Sequence, residues 1–373
     1  MNFSLPFRLL SFLIFCLGLS FPSFCQYTVK GLVLDSIHKK PIPYAMVFIE
    51  GSTKGTVTND EGFFLIEDIP IPSSLVVNHI SFQPQQFDID GHTRDMRIFL
   101  KEKNLQLSEV VVTDKNLRQN NVKEFCRCFL GNDYWGKMAI LENDTVLRFQ
   151  HFKIPVEDTS INGRNPFNEF NIFYAFSEEP LIIDLPLLGY KLYVVLINFS
   201  VSSNGFQSMN SSLGYYYYQP YVEASASKNK TYEKNRHSVY YNSGQHFCRS
   251  LYAGTLPQNG YRLIEKRADA KEKEMGPTVD LEVYLSPTSD NQRMIVGLAG
   301  KVYHILYYHK SDGSPRDLTQ RREAGLIKSS EIRLLRDTCL IRSDGSIPDN
   351  SIVFGGEISH KKAGASLPDD YVE

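Results

Sequence analysis

A histidine and an arginine near the middle of the chain are the side chains best spaced for chemistry. His246 and Arg249 stand three positions apart, shortly after Ser243, a residue type that caps helix N-termini. On a helix this spacing brings the two side chains close together, where they could bind an anion or a partner protein. Two alternatives stay open: the pair could attach the helix to a neighbouring strand, or His246 could be the base of a cryptic hydrolase.

A short helix must position this pair. Phe247 and Leu251 lie four positions apart, so a helix here would carry both on one apolar face. Gly254 then ends the pattern, as glycine commonly does at helix C-termini. The segment therefore predicts a helix that is anchored by its two apolar residues and carries the polar pair beside them.

Cysteine chemistry is a second possibility. Four cysteines remain if the first 25 residues are removed as a signal peptide: Cys126, Cys128, Cys248 and Cys339. The apolar residues around the Cys-x-Cys pair follow the repeat of a helix, which predicts that Cys126 faces the core and that Cys128 points elsewhere. We therefore expect buried or incidental thiols, and the spacing leaves the disulfide pattern open.

Motifs of known catalytic sites are absent from the sequence. It contains no His-x-x-Glu pair of a zinc carboxypeptidase, no Gly-x-Ser-x-Gly elbow and no phosphate-binding glycine loop. Asp369 and Asp370 could pair as acid and base, but adjacent carboxylates near a chain end are usually solvated. The sequence thus predicts no enzyme, no cofactor and no metal site, although a triad assembled from distant residues stays open.

The composition gives no basis for nucleic-acid binding. Forty Lys and Arg against 42 Asp and Glu give a net charge of −2 at pH 7, without a basic surplus. Residues 1–25 carry Arg8, an apolar stretch and a small-residue end, which predicts a secretory signal peptide. Lipidation at Cys16 or Cys25 fits less well, because each follows a bulky Phe. We expect an exported protein, periplasmic or outer-membrane associated, without a transmembrane span in the mature chain.

The first part of the mature chain has the pattern of a small all-β domain. Its run from 31 to 64 reads GLVLDSIHKKPIPYAMVFIEGSTKGTVTNDEGFF, in which short apolar runs alternate with Pro, Asn, Asp and Gly turns. Through G-x-V-x-D, P-I-P-x-A-x-V-x-I-x-G-S and G-T-x-T-N-x-E-G-x-F it resembles the carboxypeptidase-like regulatory domain, a transthyretin-like β-sandwich. The resemblance implies such a sandwich over residues 26–113.

The end of that stretch could bind a partner. Residues 107–113 read LSEVVVT and resemble the L-x-E-V-V-V-T segment that follows the same sandwich in many TonB-dependent outer-membrane receptors. The resemblance implies a partner-binding strand, because an extended segment can add to the edge of a partner's sheet. The candidate residues are Val110, Val111, Val112 and Thr113. The alternative is a last strand of the sandwich itself.

The second part of the chain is predicted to be β-rich. The polar segment 114–121 is predicted as a linker, and a helix is expected over 122–129 at the start of an α+β domain, 122–373. Strands of that domain are predicted at 145–150, 172–176, 181–184, 188–201, 280–285, 293–298, 301–309, 338–342 and 351–357. An aromatic stretch at 215–221 is a candidate surface for a protein or a glycan.

The second part also carries a resemblance of its own. It resembles a family of exported bacterial proteins of unknown function through four blocks: FLG at 129–131, LGYKL at 188–192, HFCRSL at 246–251 and LPDDY at 367–371. This resemblance extends over most of the mature chain but implies no activity.

Together these features predict a mostly β protein. An N-terminal transthyretin/Ig-like β-sandwich is followed by a β-rich α+β domain with a few short helices. The predicted function is a non-catalytic envelope protein that acts as a binding or scaffolding module, with an outer-membrane protein or a glycan as its partner. Two alternatives are an accessory component of a TonB-linked outer-membrane uptake system and the cryptic hydrolase.

Overall fold

The computed structural model describes residues 27–93, 95–103, 115–155, 169–204, 208–222, 225–265, 278–289, 291–319 and 326–373. The predicted signal peptide, 1–25, and the segment 107–113 lie outside these residues. The described part is mostly β, as predicted. Its buried side chains form three large hydrophobic cores and a small fourth cluster between two of them.

The N-terminal part is a sandwich of two sheets. Its strands are β1 (Tyr27–Asp35), β2 (Met46–Ile49), β3 (Gly55–Val57), β4 (Phe63–Ile69), β5 (Ser73–His79), β6 (Phe82–Ile89) and β7 (Asp95–Leu100). One sheet has the order β4-β1-β7, with β7 parallel to β1, and the other the antiparallel order β3-β2-β5-β6. Alternate residues face inward, so Val33 and Val47 lie in the core between the sheets. Phe48 of β2 faces the opposite way and is also buried, so the second face of this sheet is covered too.

The middle of the chain forms a six-stranded sheet that a helix covers on one face. The elements are α1 (Lys115–Phe129), α2 (Tyr134–Met138), β8 (Ile140–Leu141), a 3₁₀ turn (Asp144–Val146), β9 (Leu147–Pro155), β10 (Glu169–Ser177), β11 (Leu181–Leu185), β12 (Tyr190–Ser203) and β13 (Ser208–Pro220). Strand β13 pairs along one side of the long β12, and β11 and β10 share the other side. Phe125 and Phe129 of α1 pack on Phe199 of β12, with ring centroids 4.8 and 5.9 Å apart.

The last part of the chain builds another core from two antiparallel sheets and a helix. The elements are α3 (Ala226–Tyr240), α4 (Gly244–Ala253), β14 (Tyr261–Glu265), a 3₁₀ turn (Leu281–Tyr284), β15 (Leu285–Ser289), β16 (Gln292–Val296), β17 (Val302–His309), β18 (Leu326–Leu334), β19 (Thr338–Arg342), β20 (Ile352–Gly356), α5 (Glu357–His360) and a 3₁₀ turn (Ala363–Ala365). The sheet orders are β14-β17-β18-β20 and β15-β16-β19. The segment predicted as one domain, 122–373, therefore contains two separate cores.

Local predictions differ from the observed backbone at several places, for example at residues 145–146, where a 3₁₀ turn replaces the predicted start of a strand. Helix α1 begins at Lys115, so it includes most of the segment predicted as a linker, 114–121. Residues 281–284 form a 3₁₀ turn where the pattern predicts a strand. The cause is Asp280, whose carboxylate accepts a hydrogen bond from the amide of Glu282 at 2.9 Å and caps the turn.

The orientation predicted for the Cys-x-Cys pair is correct for Cys126 and wrong for Cys128. Cys126 is partly buried and packs against the core as expected, but Cys128, expected to point away, is buried in the same core. The cause is a second cover on helix α1: Asn210 of β13 donates a hydrogen bond to the carbonyl of Cys128 at 3.1 Å. A helix that is covered on two sides does not follow the single-face rule from which the orientation was predicted.

Candidate functional site

The helix predicted around His246 is present. Ser243 caps its start by accepting a hydrogen bond from the amide of His246 at 3.0 Å, and Gly254 ends it with a φ of +70°. Phe247 and Leu251 are fully buried against the C-terminal sheets. The cap and the apolar face therefore fix the positions of the polar side chains between them.

His246 is enclosed by aromatic rings. It is 2% exposed, and the rings of Tyr240 and Tyr261 lie 4.9 and 5.2 Å from its own, centroid to centroid. Its Nδ1 accepts hydrogen bonds from the amide of Asn242 at 3.2 Å and from the hydroxyl of Tyr261 at 2.9 Å, which leaves the proton on Nε2. Burial lowers the pKa of His246 to about 4, so the imidazole is neutral at pH 7. A buried neutral ring does not attract an anion by charge.

The thiol nearest to His246 in the chain is not activated. Cys248 faces the core, and burial raises the pKa of its thiol to about 12, whereas a nucleophilic cysteine needs a lowered pKa. The same effect raises the pKa values of Cys126 and Cys128 to about 11. All four cysteines of the described residues are free thiols, and these shifts keep Cys126, Cys128 and Cys248 protonated at neutral pH.

Arg249 binds two backbone carbonyl groups. Its Nε donates to the carbonyl of Asp344 and its Nη2 to that of Asp369, each at 2.8 Å. The guanidinium also lies 5.4 Å from the ring centroid of Tyr240. These contacts join helix α4 to the turn after β19 and to the C-terminal residues. The geometry supports the structural alternative for this helix, and partner binding by His246 and Arg249 stays a prediction.

Residues 364–370, which we call the clasp, lie across the two later cores. The amide of Gly364 donates to the carbonyl of Leu130, just after helix α1, at 2.9 Å. Gln245 of α4 donates from its side chain to the carbonyl of Pro368 at 3.0 Å. Together with the arginine contact above, these bonds fix the clasp to the central and C-terminal parts.

The other side of the clasp holds the sandwich. The amide of Asp369 donates to the carbonyl of Gly51 at 2.7 Å, and the carboxylate of Asp370 accepts a hydrogen bond from the amide of Thr53 at 3.1 Å. Both sandwich residues belong to the turn between β2 and β3. The adjacent carboxylates, expected to be solvated, are thus part of a junction that connects the sandwich to the rest of the molecule.

The sandwich also covers part of the predicted aromatic surface, 215–221. The amide of Gly51 donates to the carbonyl of Tyr216 at 2.7 Å, so the sandwich turn pairs with the outer edge of β13. Phe48 packs on Tyr217 with ring centroids 5.4 Å apart, and Tyr215 belongs to the same cluster. The part of the aromatic stretch formed by these residues is therefore used within the chain.

Beyond the sandwich, the same face of the central sheet is exposed. Strand register places Phe152 of β9, Ile172 of β10 and Met209 of β13 in one row across the sheet. Phe152 is 49% exposed, Met209 75% and the neighbouring Ile154 50%. We call these four residues the apolar face. Clustered apolar side chains in solvent are typical of a binding surface.

A cavity of about 710 Å³ lies where the sandwich, β13 and the clasp meet. Glu50 of the sandwich, Arg342 at the end of β19 and Asp369 of the clasp contribute to its lining. Burial raises the pKa of Glu50 to about 7, against an opposing effect of Arg342. Burial, reinforced by neighbouring carboxylates, also raises the pKa of Asp369 well above its usual range. Both carboxyls therefore carry reduced negative charge at neutral pH. We call this space the junction cavity.

One group of potential metal ligands occurs in the part of the chain that the structure describes. Asp35, His38 and Glu102 offer ligand atoms within 4.8 Å of one another. Asp35 accepts hydrogen bonds from the amide of Ile37 at 2.6 Å and from the ring of His38 at 3.0 Å, as an aspartate in a turn does. These hydrogen bonds account for the short distance between Asp35 and His38, and we assign no metal to the group.

Part of the predicted site cannot be compared with the structure. Val110, Val111, Val112 and Thr113 lie outside the described residues, so their role in partner binding stays a prediction. The junction is not visible in any local pattern. The sequence contained one signal for the junction. The Gly51-Ser52 pair and the LPDDY block at 367–371 both belong to the motifs quoted above, and the structure places them in contact.

The sandwich belongs to a known class of domain. Residues 29–112 match the model of the CarboxypepD_reg-like domain, the class that the sequence motifs predict. The N-terminal part of this chain is therefore a CarboxypepD_reg-like domain. Over 111 residues the chain is 36% identical to the TonB-dependent receptor SusC of Bacteroides thetaiotaomicron. This similarity covers 28% of the chain and 10% of the receptor, so the chain spans only a small part of the relative it matches.

The comparison with solved structures supports no conclusion. A 9R-lipoxygenase from Cyanothece matches over 61% of this chain and 48% of its own, with 11% identity and a TM-score of 0.17. A score of that size carries no argument about fold or function. Among the helices that the structure describes, none is long and apolar enough to cross a membrane.

Proposed function

We propose that the protein is a non-catalytic, exported envelope module that binds a partner protein through its apolar face. The exposure of Phe152, Ile154 and Met209 carries this proposal, because soluble monomers rarely leave clustered apolar side chains in water without a binding role. The neutral, enclosed His246 and the protonated thiols support the non-catalytic part, since a catalytic site needs a base or nucleophile in reach of a substrate.

The similarity to a receptor favours one class of partner. The N-terminal part of the chain resembles the N-terminal region of a TonB-dependent receptor. We infer that the protein is an accessory component of a TonB-linked outer-membrane uptake system. A periplasmic or outer-membrane associated location is part of this proposal and rests also on the predicted signal peptide. The strand predicted at 110–113 would add to a sheet edge of the partner.

Affinity recovery tests the apolar face. The tagged mature protein is incubated with gently solubilised envelopes of its own organism, and mass spectrometry identifies the bound proteins. We expect a TonB-dependent receptor to be recovered with the wild type and lost with the double variant Phe152→Gln and Met209→Gln. The matched control is Val353→Gln, which changes an exposed apolar side chain of β20 and should leave recovery unchanged.

Two further results would change the proposal. If neither the double variant nor deletion of residues 107–113 alters recovery or membrane association, docking by these segments is wrong. A reproducible hydrolytic activity that one point mutation abolishes would overturn the non-catalytic part and return attention to His246.

A further inference from the structure

Strand β9 forms an edge of the central sheet. Within the described residues it pairs with β10 on one side and with no strand on the other. Residues 151–154 near its end are all exposed, as expected where a strand has solvent beside it as well as on its faces. Natural proteins usually cover or interrupt such an edge, because its backbone groups can pair with another chain. The edge of β9 is therefore a place where an additional strand can bind.

The register of the sheet fixes which backbone groups of β9 point outward. The carbonyl of Leu147 accepts hydrogen bonds from the side chains of Arg118 and Arg148 and so points away from β10. This direction alternates along an antiparallel strand, so the backbone groups of Phe149 and His151 also point away from β10. Each of these two residues offers an N–H donor and a C=O acceptor to an added strand.

The side chains along this edge are apolar on one side. Phe152 and Ile154 of the apolar face belong to β9 and are about half exposed. They point away from helix α1, because the ring of His151, on the opposite side of the strand, is hydrogen-bonded to Asn121 of that helix at 3.1 Å. An added strand would place alternate side chains beside Phe152 and Ile154. Apolar residues at those positions would cover both side chains.

Two arginines, which we call the arginine pair, stand at the start of the same edge. Arg118 of α1 and Arg148 of β9 donate to the carbonyl of Leu147 at 3.2 and 3.1 Å, so their guanidinium groups lie close together. Among the described residues no carboxylate forms an ion pair with either of them. Guanidinium groups bind carboxylates by charge and by paired hydrogen bonds. The added segment should therefore be acidic where it lies beside the start of β9.

We propose that β9 accepts an extended segment of the partner protein as an additional strand, with apolar residues at alternate positions and an acidic end. The backbone of this segment pairs with the outward groups of β9, and its acidic end contacts the arginine pair. In the antiparallel arrangement of the neighbouring strands, the acidic end is the C-terminal one. The inference rests on the proposed function, because it specifies how the partner binds beside the apolar face.

A peptide with this pattern tests the proposal on the full mature chain. The probe is Val-Thr-Val-Thr-Val-Glu-Glu, amidated and carrying an N-terminal fluorophore for anisotropy. It should bind saturably, and the peptide with two lysines in place of the glutamates should bind at least about tenfold more weakly. With the valines beside the apolar face, the threonine amides face β9 and the valine amides face away. N-methylation of the second threonine should therefore weaken binding by about tenfold or more, whereas N-methylation of the middle valine should not.

Variants of β9 test the same edge from the side of the protein. His151→Pro removes an outward N–H and leaves the bonds to β10 in place, so it should bind the peptide at least about tenfold more weakly than His151→Ala. Arg148→Gln should weaken binding by about tenfold. Its matched control is Arg333→Gln, the same change at an exposed arginine of β18, which should have no effect. Urea unfolding of each variant separates lost binding from lost structure.

Three results would overturn the proposal: no saturable binding of the peptide, equal affinities of the two N-methylated peptides, or equal affinities of His151→Pro and His151→Ala. A wild-type dimer in analytical ultracentrifugation that His151→Pro separates into monomers would also overturn it, because a second copy would then occupy the edge. Failure of the proposed function is seen separately, as receptor recovery that the double variant Phe152→Gln and Met209→Gln does not lower. If recovery falls in that variant while the peptide does not bind, the proposed function stands and the added strand is wrong.

Discussion

The contact between the sandwich and β13 can be tested at Gly55. A Cβ atom added at this residue would lie 2.6 Å from the ring of Tyr217 and 2.9 Å from the Cβ of Phe48, closer than unbonded carbons approach. Tyr217 also packs between Phe48 at 5.4 Å and Tyr193 at 5.9 Å, centroid to centroid. The ring cannot move aside without losing one of these contacts. Gly55→Ala must therefore strain β3 or push the sandwich away from β13.

The expected loss follows from two opposing effects. Overpacking a filled core lowers the free energy of unfolding by about 1–3 kcal/mol. Alanine also restricts the unfolded chain more than glycine does, which returns about 0.4–1 kcal/mol where the backbone tolerates it. Gly55 does not have a positive φ, so this second effect applies. We expect Gly55→Ala to lower the free energy of unfolding by about 1–2 kcal/mol.

Urea unfolding followed by fluorescence measures this loss, and small-angle X-ray scattering measures any separation of the sandwich. The matched control is Gly91→Ala in the same sandwich, where the added Cβ would meet nothing within 4 Å. The control should be as stable as the wild type or slightly more so. Equal unfolding free energies and equal radii of gyration for the two variants would refute the contact between β3 and Tyr217.

Three further predictions concern buried polar groups. Glu50 has its pKa raised from 4.5 to about 7, so the folded state keeps a proton that the unfolded state releases. The free energy of unfolding should therefore fall by up to about 3 kcal/mol as the pH rises from about 4.5 to 7, and urea unfolding across this range should show a smaller fall in Glu50→Gln. Arg249→Ala removes the charged donor from the carbonyls of Asp344 and Asp369. This change should lower the free energy of unfolding in urea by about 1–3 kcal/mol and speed carboxypeptidase digestion of the clasp. Digestion at the wild-type rate would contradict the positioning role of Arg249. His246→Ala removes a ring enclosed by aromatic neighbours and should lower the free energy of unfolding by about 2–4 kcal/mol, whereas an unchanged melting temperature would favour the hydrolase alternative.

Local sequence patterns predicted the elements that bury one face and have clear ends. Helix α4 begins after Ser243 and ends at Gly254, because the cap and the left-handed glycine act within a few residues of the chain. The strand predicted at 301–309 is observed as β17, Val302–His309, since its alternating pattern meets a sheet with one covered face. Where an element is covered on two sides, as helix α1 is, the same reasoning predicted the wrong orientation for Cys128.

The junction could not be predicted in this way. Most of its hydrogen bonds use backbone groups, as in the bond between Asp369 and Gly51, and every residue has such groups whatever its type. The cavity between Glu50 and Arg342 depends on how separate cores pack together. The local hydrophobic pattern of a sequence carries no information about such packing. The role of Arg249 was left open for the same reason, because its two acceptors lie 95 and 120 positions away.

The clasp also determines an order of events during the export that we propose. The hydrogen bond between Thr53 and Asp370 joins residues 317 positions apart, so the sandwich leaves the translocation pore long before the residues that secure it. With a core of its own, the sandwich can fold at that stage. Its outward Phe48 and Val76 stay in water until β13 and the clasp arrive, and closing so large a loop is slow compared with local pairing. In a protein exported as proposed, new chains would therefore pass through an interval in which a chaperone can reach a surface that the finished protein hides.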